Sequence, residues 1–270
     1  MNPDIRQLLE PTTAIARDAG AAILEVYHSD DFAISQKKDD SPLTRADLAA
    51  HRVIRDGLLA LTPDVPVLSE EDATIPFAKR RLWSHYWLVD PLDGTREFIK
   101  RNDEFTVNIA LVVDHAPIFG VVYVPVSGNC YRGAHGFAEK LERDGTSLVL
   151  HCATVTTDRP TRVAGSRSHG NPSLQAHLQH LGEFTLLPLG SSLKFCRIAE
   201  GAADIYPRLG LTSEWDTAAA HAVLRAAGGE VLTFDGQPLR YNTKDSLLNP
   251  EFIAVGDPSG NWIERLGLSA

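Results

Sequence analysis

Apolar residues recur at intervals of three and four positions in two stretches near the N-terminus, and this pattern predicts two amphipathic helices. The first stretch covers residues 4–28, and we expect an interruption of its helix near Pro11. The second begins at Thr44 and stops near residue 62. Thr44 and Asp47 have the spacing of a capping box, so the second helix is predicted to start there.

Two later apolar runs are short, rich in β-branched and aromatic residues, and are followed by acidic residues. Residues 65–68 are followed by Ser69 and Glu70, and residues 86–89 are followed directly by Asp90. Such runs are typical of buried strands. If the two strands are neighbours in one sheet, their carboxylates emerge at the same edge, where open α/β sheets build their sites. The pattern therefore predicts that Glu70 and Asp90 lie close together.

Longer β-rich runs at residues 105–113 and 117–124 predict a hairpin, and shorter strands follow it. Together they predict a largely antiparallel sheet beneath the N-terminal helices. Beyond a polar, proline-containing stretch near residue 158, predicted strands alternate with helices. We therefore expect two domains, an N-terminal α+β domain at residues 1–158 and a C-terminal α/β domain at residues 159–270.

A further acidic residue stands at the start of a helix in the second predicted domain. Asp216 lies at or next to the N-cap of a small-residue helix that ends at Gly228 and Gly229. An acidic residue at such a position stabilises a helix without any other role, and the same holds for Asp47 in its helix. A catalytic role requires both side chains to reach the loop after Asp90.

That loop combines two carboxylates with a Gly-Thr turn. Pro91 forces the chain to turn at once, so Asp90, Asp93 and the Leu92 carbonyl can face the same space. Oxygen ligands of this kind suit a hard divalent cation such as Mg²⁺. The amides of the Gly-Thr pair, at a helix start, favour a phosphate group. An ordinary solvated turn explains an isolated D-x-x-D-G equally well, so the context must decide between the two interpretations.

Composition narrows the class of protein. The chain has 270 residues, enough for one large or two medium domains, and its net charge of −9 argues against a surface that coats nucleic acid. Its three cysteines form no C-x-x-C pair, which predicts reduced thiols and a cytosolic setting. We find neither a signal-type apolar core at the start nor an apolar run of transmembrane length.

Taken together and in order, the acidic motifs resemble those of the Mg²⁺-dependent, lithium-sensitive inositol monophosphatase superfamily. They are Leu68-Ser69-Glu70-Glu71, Asp90-Pro91-Leu92-Asp93-Gly94-Thr95 and Trp215-Asp216-Thr217-Ala218-Ala219. The resemblance implies a layered α-β-α-β-α sandwich of the sugar-phosphatase type, the fold of inositol monophosphatase and fructose-1,6-bisphosphatase. It covers about residues 5–255, and we assign no function to the tail beyond it.

Within that superfamily the chain is most similar to the bacterial 3′(2′),5′-bisphosphate nucleotidases. The segments that carry this likeness are residues 41–47, 97–101, 166–169 and 190–196. The resemblance implies hydrolysis of 3′(2′)-phosphoadenosine 5′-phosphate to AMP and phosphate, a reaction of sulfate assimilation. One departure is Arg96, which stands where these nucleotidases often have lysine, and which keeps the positive charge.

The resemblance also implies residue roles. Two or three Mg²⁺ ions would be held by Glu70, Asp90, the Leu92 carbonyl, Asp93 and Asp216. Asp47 and Thr95 would orient and deprotonate the attacking water. The Gly94 and Thr95 amides would hold phosphate oxygens. Glu70, Leu92, Asp93 and Asp216 would also contact the substrate. Ser191, Lys194 and Arg208 would face the nucleotide and its 5′-phosphate, with His169 near the base or ribose.

The partners implied are a small-molecule nucleotide and no nucleic acid. The state of assembly is open between monomer and homodimer, and the location is expected to be cytoplasmic, with peripheral attachment to the inner membrane open. The main alternative is hydrolysis of inositol monophosphate, which would leave the anion site of Lys194 and Arg208 unfilled. A non-catalytic phosphate-binding protein is a second alternative.

Two other motif families fit less well. Haloacid-dehalogenase phosphatases have D-x-D-G-T, with the acids two positions apart, whereas Asp90 and Asp93 are three apart, which disfavours a covalent aspartyl mechanism. An EF-hand loop places ligands at alternating positions and ends in glutamate, and the loop after Asp90 lacks that pattern.

Overall fold

The computed structural model describes residues 5–29, 35–36, 42–156, 158–165 and 172–268. His169 and the rest of the 166–169 motif lie outside the described residues, as do residues 37–41.

Eight α-helices are present in the described part of the chain, and a 3₁₀ turn at Ile5–Leu8 precedes the first. They are α1 (Leu9–Tyr27), α2 (Arg45–Leu61), α3 (Phe77–Arg80), α4 (Thr95–Ile99), α5 (Pro172–Gln179), α6 (Leu193–Ala199), α7 (Glu214–Ala226) and α8 (Trp262–Arg265).

Fourteen strands are present in the same residues. They are β1 (Ser35–Gln36), β2 (Pro42–Leu43), β3 (Val67–Ser69), β4 (His85–Asp93), β5 (Thr106–Val113), β6 (Ala116–Tyr123), β7 (Cys130–Ala134), β8 (Phe137–Leu141), β9 (Ser147–Val149), β10 (Thr161–Gly165), β11 (Phe184–Pro188), β12 (Ile205–Arg208), β13 (Glu230–Thr233) and β14 (Phe252–Val255).

These strands form two large sheets and one two-stranded pair, β1 with β2. The first large sheet runs β3-β4-β5-β6-β7-β8-β9 and is antiparallel except for the parallel pair β3 and β4. The second runs β11-β10-β12-β14-β13 and is mixed, with β10 parallel to both of its neighbours. The predicted antiparallel sheet is therefore confirmed, with a parallel strand at one edge.

Helices and sheets alternate in five layers. Helices α1 and α2 cover one face of the first sheet, and their apolar stripes pack on its buried side chains, such as Trp87 and Ile109. Helices α6 and α7 lie between the two sheets, where Phe195 and Val223 join one core with residues of both. Helices α5 and α8 cover the outer face of the second sheet. This is the expected α-β-α-β-α sandwich, and it places the start of α7 between the sheets.

The N-terminal helix differs from its prediction at one point. Pro11 does not interrupt it, because Pro11 is the third residue of α1, where a helical N–H has no acceptor within the helix and its loss costs little. The capping box at the start of α2 is confirmed: the Thr44 side chain accepts from the helix backbone, and the Asp47 side chain accepts from Thr44 N. The short helix α3 was not predicted, and the division into two domains stays a prediction.

Candidate active site

The end of β4 lies at the centre of the acidic residues, and its neighbours explain why. Strand β3 runs parallel to β4, with Ser69 opposite Val89, so Glu70 follows β3 at the level of Asp90. The prediction that the chain turns at once at Pro91 was wrong, because β4 continues through Asp90 and Pro91 to Asp93. On the other side, Asp90 pairs with Asn108 and Asp93 pairs with Thr106, and the register shifts between these two pairs. That irregularity re-aims the strand end, as a β-bulge does.

The turn is closed by its own polar groups. Leu92 N donates to Asp90 Oδ1 over 3.0 Å, and the Leu92 carbonyl accepts from Thr95 Oγ1 over 3.3 Å. Gly94 has φ = 91°, in the left-handed region, and a Cβ there would lie 3.1 Å from the Glu104 carbonyl oxygen. Only glycine fits this position without strain, and it makes the step from β4 into α4 possible.

Four carboxyl groups come together at this point. Burial raises the pKa of Asp90 well above its usual range, and the charges of Glu70, Asp93 and Asp216, together with a hydrogen bond to Glu70, raise it further. Burial also raises the pKa of Asp216, and the charges of Asp93 and Glu70 add to that rise. The residue after β3, two residues of β4 and one of α7 therefore share one electrostatic environment, as predicted from the sequence.

Asp93 connects this cluster to the second half of the chain. Ser192 Oγ lies 2.9 Å from Asp93 Oδ2 and 2.8 Å from the Asp216 carbonyl oxygen, so its proton can be donated to either. Asn108 Nδ2 donates to Ser192 Oγ over 2.8 Å. Burial raises the pKa of Asp93, while the nearby charge of Lys194 and the hydrogen bonds from Ser192 and Asn108 oppose the rise.

Asp47 reaches the same loop from α2. Its Oδ2 accepts Thr44 N over 2.7 Å and Thr44 Oγ1 over 2.6 Å, and the residue is completely buried. Its Oδ1 lies 3.4 Å from Thr95 Oγ1. The structure therefore brings together the two residues that the resemblance links to water activation.

A cavity of about 150 Å³ opens beside these carboxylates, between the first turn of α4, the start of α6 and β12. The predicted site residues that line it are Asp93, Gly94, Ser191, Lys194, Arg208 and Asp216. Arg96, Tyr206 and Thr212 line it as well, and the sequence pattern gave no reason to place Tyr206 and Thr212 there. Cavities of about 480 Å³ and about 350 Å³ lie elsewhere, but none of the predicted site residues lines either of them.

The two cationic residues predicted for the nucleotide site, Lys194 and Arg208, donate hydrogen bonds to backbone carbonyls of the protein. Lys194 Nζ donates to the Ser191 carbonyl over 2.7 Å, and its burial lowers the pKa of Lys194 to about 8, although the charge of Asp93 opposes this. Arg208 donates from Nε to the Gly210 carbonyl over 3.1 Å and from a terminal nitrogen to the Leu211 carbonyl over 3.0 Å. Ser191, with φ = 38°, turns the loop around the ammonium group.

The chemistry of the donor set fits Mg²⁺. All candidate ligands are carboxylate or carbonyl oxygens, which Mg²⁺ and Ca²⁺ prefer, and the set holds neither imidazole nor thiolate. Among the described residues, no group of three or more acidic, histidine or cysteine side chains is arranged so that it could hold a metal ion. The assignment of individual ligands therefore stays a prediction, supported by the mutual proximity of Glu70, Asp90, Asp93 and Asp216.

Two residues of the site were missed in the sequence because their signal is spatial. Ser192 and Asn108 are 84 positions apart and both contact Asp93.

In the described residues, no helix is both long enough and apolar enough to span a membrane.

Comparison with known proteins identifies the family of the chain. The sequence pattern of the inositol monophosphatase family matches residues 4–258. The chain is 52% identical to the 3′(2′),5′-bisphosphate nucleotidase CysQ of Escherichia coli over 246 residues, which cover 91% of this chain and 98% of that protein.

Solved structures show the same fold. The crystal structure of CysQ from Bacteroides thetaiotaomicron, a bacterial member of the inositol monophosphatase family, aligns with a TM-score of 0.81 and 42% identity, over 94% of this chain and 99% of the other. The inositol monophosphatase of Anabaena aligns with a TM-score of 0.78 and 24% identity, over 99% and 98% of the two chains, and shows a shared fold alone.

Proposed function

Because the chain belongs to the inositol monophosphatase family, we propose that it is a Mg²⁺-dependent 3′(2′),5′-bisphosphate nucleotidase. Its substrate is 3′(2′)-phosphoadenosine 5′-phosphate and its products are AMP and phosphate. The relatives that carry this name match nearly the whole chain at 52% and 51% identity. Family membership makes metal-dependent phosphate-ester hydrolysis the general chemistry, and the local site supports the choice of substrate.

One observation carries that choice. The cavity beside the carboxylates is lined by three cationic side chains, Arg96, Lys194 and Arg208, and by one acidic side chain outside the proposed metal ligands, Glu97. A substrate with a single phosphate, bound at the metal-binding carboxylates, would leave the remaining excess of positive charge without an anionic partner. A second phosphate group does, because arginine and lysine bind phosphate oxygens through charge-assisted hydrogen bonds.

The carboxylate cluster holds the metal in this proposal. Glu70, Asp90, Asp93, Asp216 and the Leu92 carbonyl are the ligands of two or three Mg²⁺ ions. Bound Mg²⁺ supplies positive charge to the phosphate and lowers the pKa of water. Burial raises the pKa of Asp90 and of Asp216, and the charges of the neighbouring carboxylates raise both further, so a divalent cation is a favourable neighbour for their ionised forms.

Proton transfer falls to Asp47 and Thr95. Water held near Thr95 Oγ1 can give its proton through this hydroxyl to Asp47 Oδ1, 3.4 Å away. Asp47 Oδ2 is fixed by Thr44, so the carboxylate cannot rotate freely. The Gly94 and Thr95 amides hold phosphate oxygens, because the first N–H groups of a helix have no acceptor within it.

The nucleotide lies towards the second sheet. Lys194 and Arg208 supply charge for the 5′-phosphate, and Ser191, at the rim of the same cavity, offers a hydroxyl group. Since Lys194 Nζ donates to the Ser191 carbonyl, Lys194 also shapes the loop that presents this hydroxyl. His169 is proposed to lie near the base or ribose.

The experiment that tests the assignment compares kcat/KM for 3′-phosphoadenosine 5′-phosphate and for inositol 1-phosphate in saturating Mg²⁺. We expect a preference for the nucleotide. Arg208→Ala should lower kcat/KM for the nucleotide by about tenfold to 100-fold, the size of a charged hydrogen bond, and leave the inositol phosphate value within twofold. Arg240→Ala is a matched control, because Arg240 lines a different cavity.

Three outcomes are decisive. A preference for inositol 1-phosphate would identify the alternative function, inositol monophosphatase. Absence of phosphate release from either compound in Mg²⁺ would favour a non-catalytic phosphate-binding protein. Asp90→Asn should nearly abolish phosphate release from the nucleotide. A wild-type rate in this variant would refute the role of Asp90 as a Mg²⁺ ligand.

A further inference from the structure

One side chain from a distant segment reaches across the first turn of α7. Asn249, between β13 and β14, is 93% buried, with 7% of its surface exposed. Its Nδ2 lies 2.8 Å from the Ser213 carbonyl oxygen, 3.1 Å from Thr212 Oγ1 and 3.1 Å from Thr217 Oγ1. These three acceptors stand on both sides of Asp216 in the sequence. One amide group therefore holds together the turn that presents the Asp216 carboxylate.

The backbone fixes Asn249 in this place. Asn249 N donates to the Thr212 carbonyl over 2.8 Å, and Glu214 N donates to the Leu247 carbonyl over 2.8 Å. Ser213 and Leu248 form an antiparallel bridge between these two bonds. Residues 212–214 at the start of α7 therefore pair with residues 247–249 in the manner of two short antiparallel strands. The Asn249 side chain extends from this pair towards the first turn of α7.

The other half of the amide has no such use. Asn249 Oδ1 is buried and has no hydrogen-bond partner in the described part of the protein. Burying an unpaired amide oxygen costs free energy, and an apolar side chain of similar size would fill this space without that cost. The donors of Asn249 are what distinguish it from such a residue.

Those donors act next to the Asp216 carboxylate. Asp216 Oδ2 accepts from Ser213 N over 2.9 Å, while the carbonyl of the same Ser213 accepts from Asn249. Ser213 is therefore held at both of its backbone polar groups. With Oδ2 bound in this way, the carboxylate has a fixed orientation beside Asp93 and Glu70, whose charges act on it.

We propose that Asn249 is a positioning residue for Asp216, which it holds through Ser213 and Thr217 in the orientation that binds Mg²⁺. This inference rests on the proposed function, in which Asp216 is a metal ligand. Neighbours that orient a ligand typically change metal affinity by about tenfold to 100-fold when they are removed.

The test measures Mg²⁺ binding directly, by isothermal titration calorimetry without substrate. Asn249→Leu keeps the approximate size of the side chain and removes its donors, and Asn249→Ser is a second variant with a shorter side chain. We expect both to weaken Mg²⁺ binding by about tenfold or more. In saturating Mg²⁺, their KM for 3′-phosphoadenosine 5′-phosphate should remain within twofold of the wild-type value.

The matched control is Arg80→Met, which loosens the same segment elsewhere. The Arg80 guanidinium donates to Asn242 Oδ1 and to the Asp245 carbonyl, and in the described residues it donates no hydrogen bond to Ser213 or Thr217. Its link to α7 is through Asn242 N, which donates to the Glu214 carboxylate and not to the turn at Asp216. This variant should lower the melting temperature and leave Mg²⁺ affinity within twofold. A positioning role is contradicted if the folded Asn249 variants bind Mg²⁺ like the wild type, or if Arg80→Met weakens binding as much as they do.

A failure of the proposed function gives a different result. If Asp216→Asn binds Mg²⁺ as tightly as the wild type, Asp216 is not a ligand, and the premise is wrong irrespective of Asn249. If Asp216→Asn weakens binding and the Asn249 variants do not, the metal site stands and only the role of Asn249 is refuted.

Discussion

The starts of α2 and α7 use the same local device, a capping box with aspartate as the third helical residue. In α2 the pair is Thr44 and Asp47, and in α7 it is Ser213 and Asp216. In each, one carboxylate oxygen accepts the N–H of the N-cap residue, over 2.7 Å and 2.9 Å. A common stabilising motif thereby orients the two side chains to which we assign roles in the proposed reaction.

The two helix starts differ in what surrounds them. Asp47 is held within its own helix, because Thr44 donates to it through both N–H and hydroxyl, and its second oxygen faces the Thr95 hydroxyl. Asp216 has one such bond, and its turn is held by Asn249, which lies 36 positions from Ser213. Its surroundings are anionic, since burial raises the pKa of Asp216 and the charges of Asp93 and Glu70 raise it further.

The difference teaches that a capping aspartate takes its role from its neighbours. A carboxylate beside a hydroxyl is suited to accept a proton, and a carboxylate beside other carboxylates is suited to bind a cation. We therefore expect substitution of Asp47 to change the rate of the reaction, and substitution of Asp216 to change metal affinity. Measuring kcat and Mg²⁺ affinity separately distinguishes the two roles.

Of the substitutions at the two helix starts, Asp47→Asn is expected to have the largest effect. Loss of the proton acceptor should lower kcat by about 10³-fold, within the usual range for general acid–base catalysis. Mg²⁺ affinity, measured by calorimetry without substrate, should stay within twofold. An equal loss of Mg²⁺ binding in this variant would show that the two helix starts do not have separate roles.

Asp216→Asn should act on the metal. We expect Mg²⁺ binding to weaken by about 100-fold, at least as much as removal of a neighbour that orients a ligand. The melting temperature of the wild type should rise when Mg²⁺ is added, by an amount that corresponds to about 2.7 kcal/mol at 100 times the dissociation constant. The variant should lose most of this rise at the same concentration. Full stabilisation by Mg²⁺ in Asp216→Asn would contradict the assignment.

Thr95 provides a third test, on the side of Asp47. Thr95→Val keeps the shape of the side chain and removes the hydroxyl that faces Asp47 Oδ1 and the Leu92 carbonyl. We expect kcat to fall by about tenfold, the size of one hydrogen bond. Thr95→Ser is the control and should retain most of the rate. Similar rates for Val and Ser would exclude a role of the hydroxyl in proton transfer.

The first half of the site was accessible from the sequence because its signals are local. The apolar runs before Glu70 and Asp90 identified two strands, and their parallel pairing places the carboxylates at one edge. The capping spacing identified Asp47, and the Asp-Pro and Gly-Thr pairs identified the turn. Each of these signals lies within a few residues of the side chain it concerns.

In the second half of the site, Ser191, Lys194 and Arg208 were predicted only from the resemblance to a known family, and Ser192 was missed. Ser192 contacts Asp93 from 99 positions away, and Lys194 donates its ammonium protons to the loop before it. Neither periodicity nor motif spacing encodes such contacts, because they depend on how α6 and α7 pack between the sheets. Asn249 was missed for the same reason, since its role depends on the pairing of its segment with the start of α7.

The smallest expected effects concern the caps themselves. Thr44→Ala should lower the free energy of unfolding by about 2 kcal/mol, and Ser213→Ala by about 1 kcal/mol, the upper and middle parts of the range for N-cap residues. The Thr44 hydroxyl both accepts from Ala46 N and donates to Asp47, whereas the bond that holds the Asp216 side chain comes from the backbone of Ser213 and survives the substitution. Urea denaturation measures both values. Thr44→Ala should also lower kcat, because it removes one of the two hydrogen bonds that hold Asp47 Oδ2 and leaves only the one from Thr44 N, while Ser213→Ala should leave Mg²⁺ affinity unchanged. If Ser213→Ala weakens Mg²⁺ binding as strongly as the Asn249 variants, then the side chain of Ser213, and not its backbone, holds Asp216.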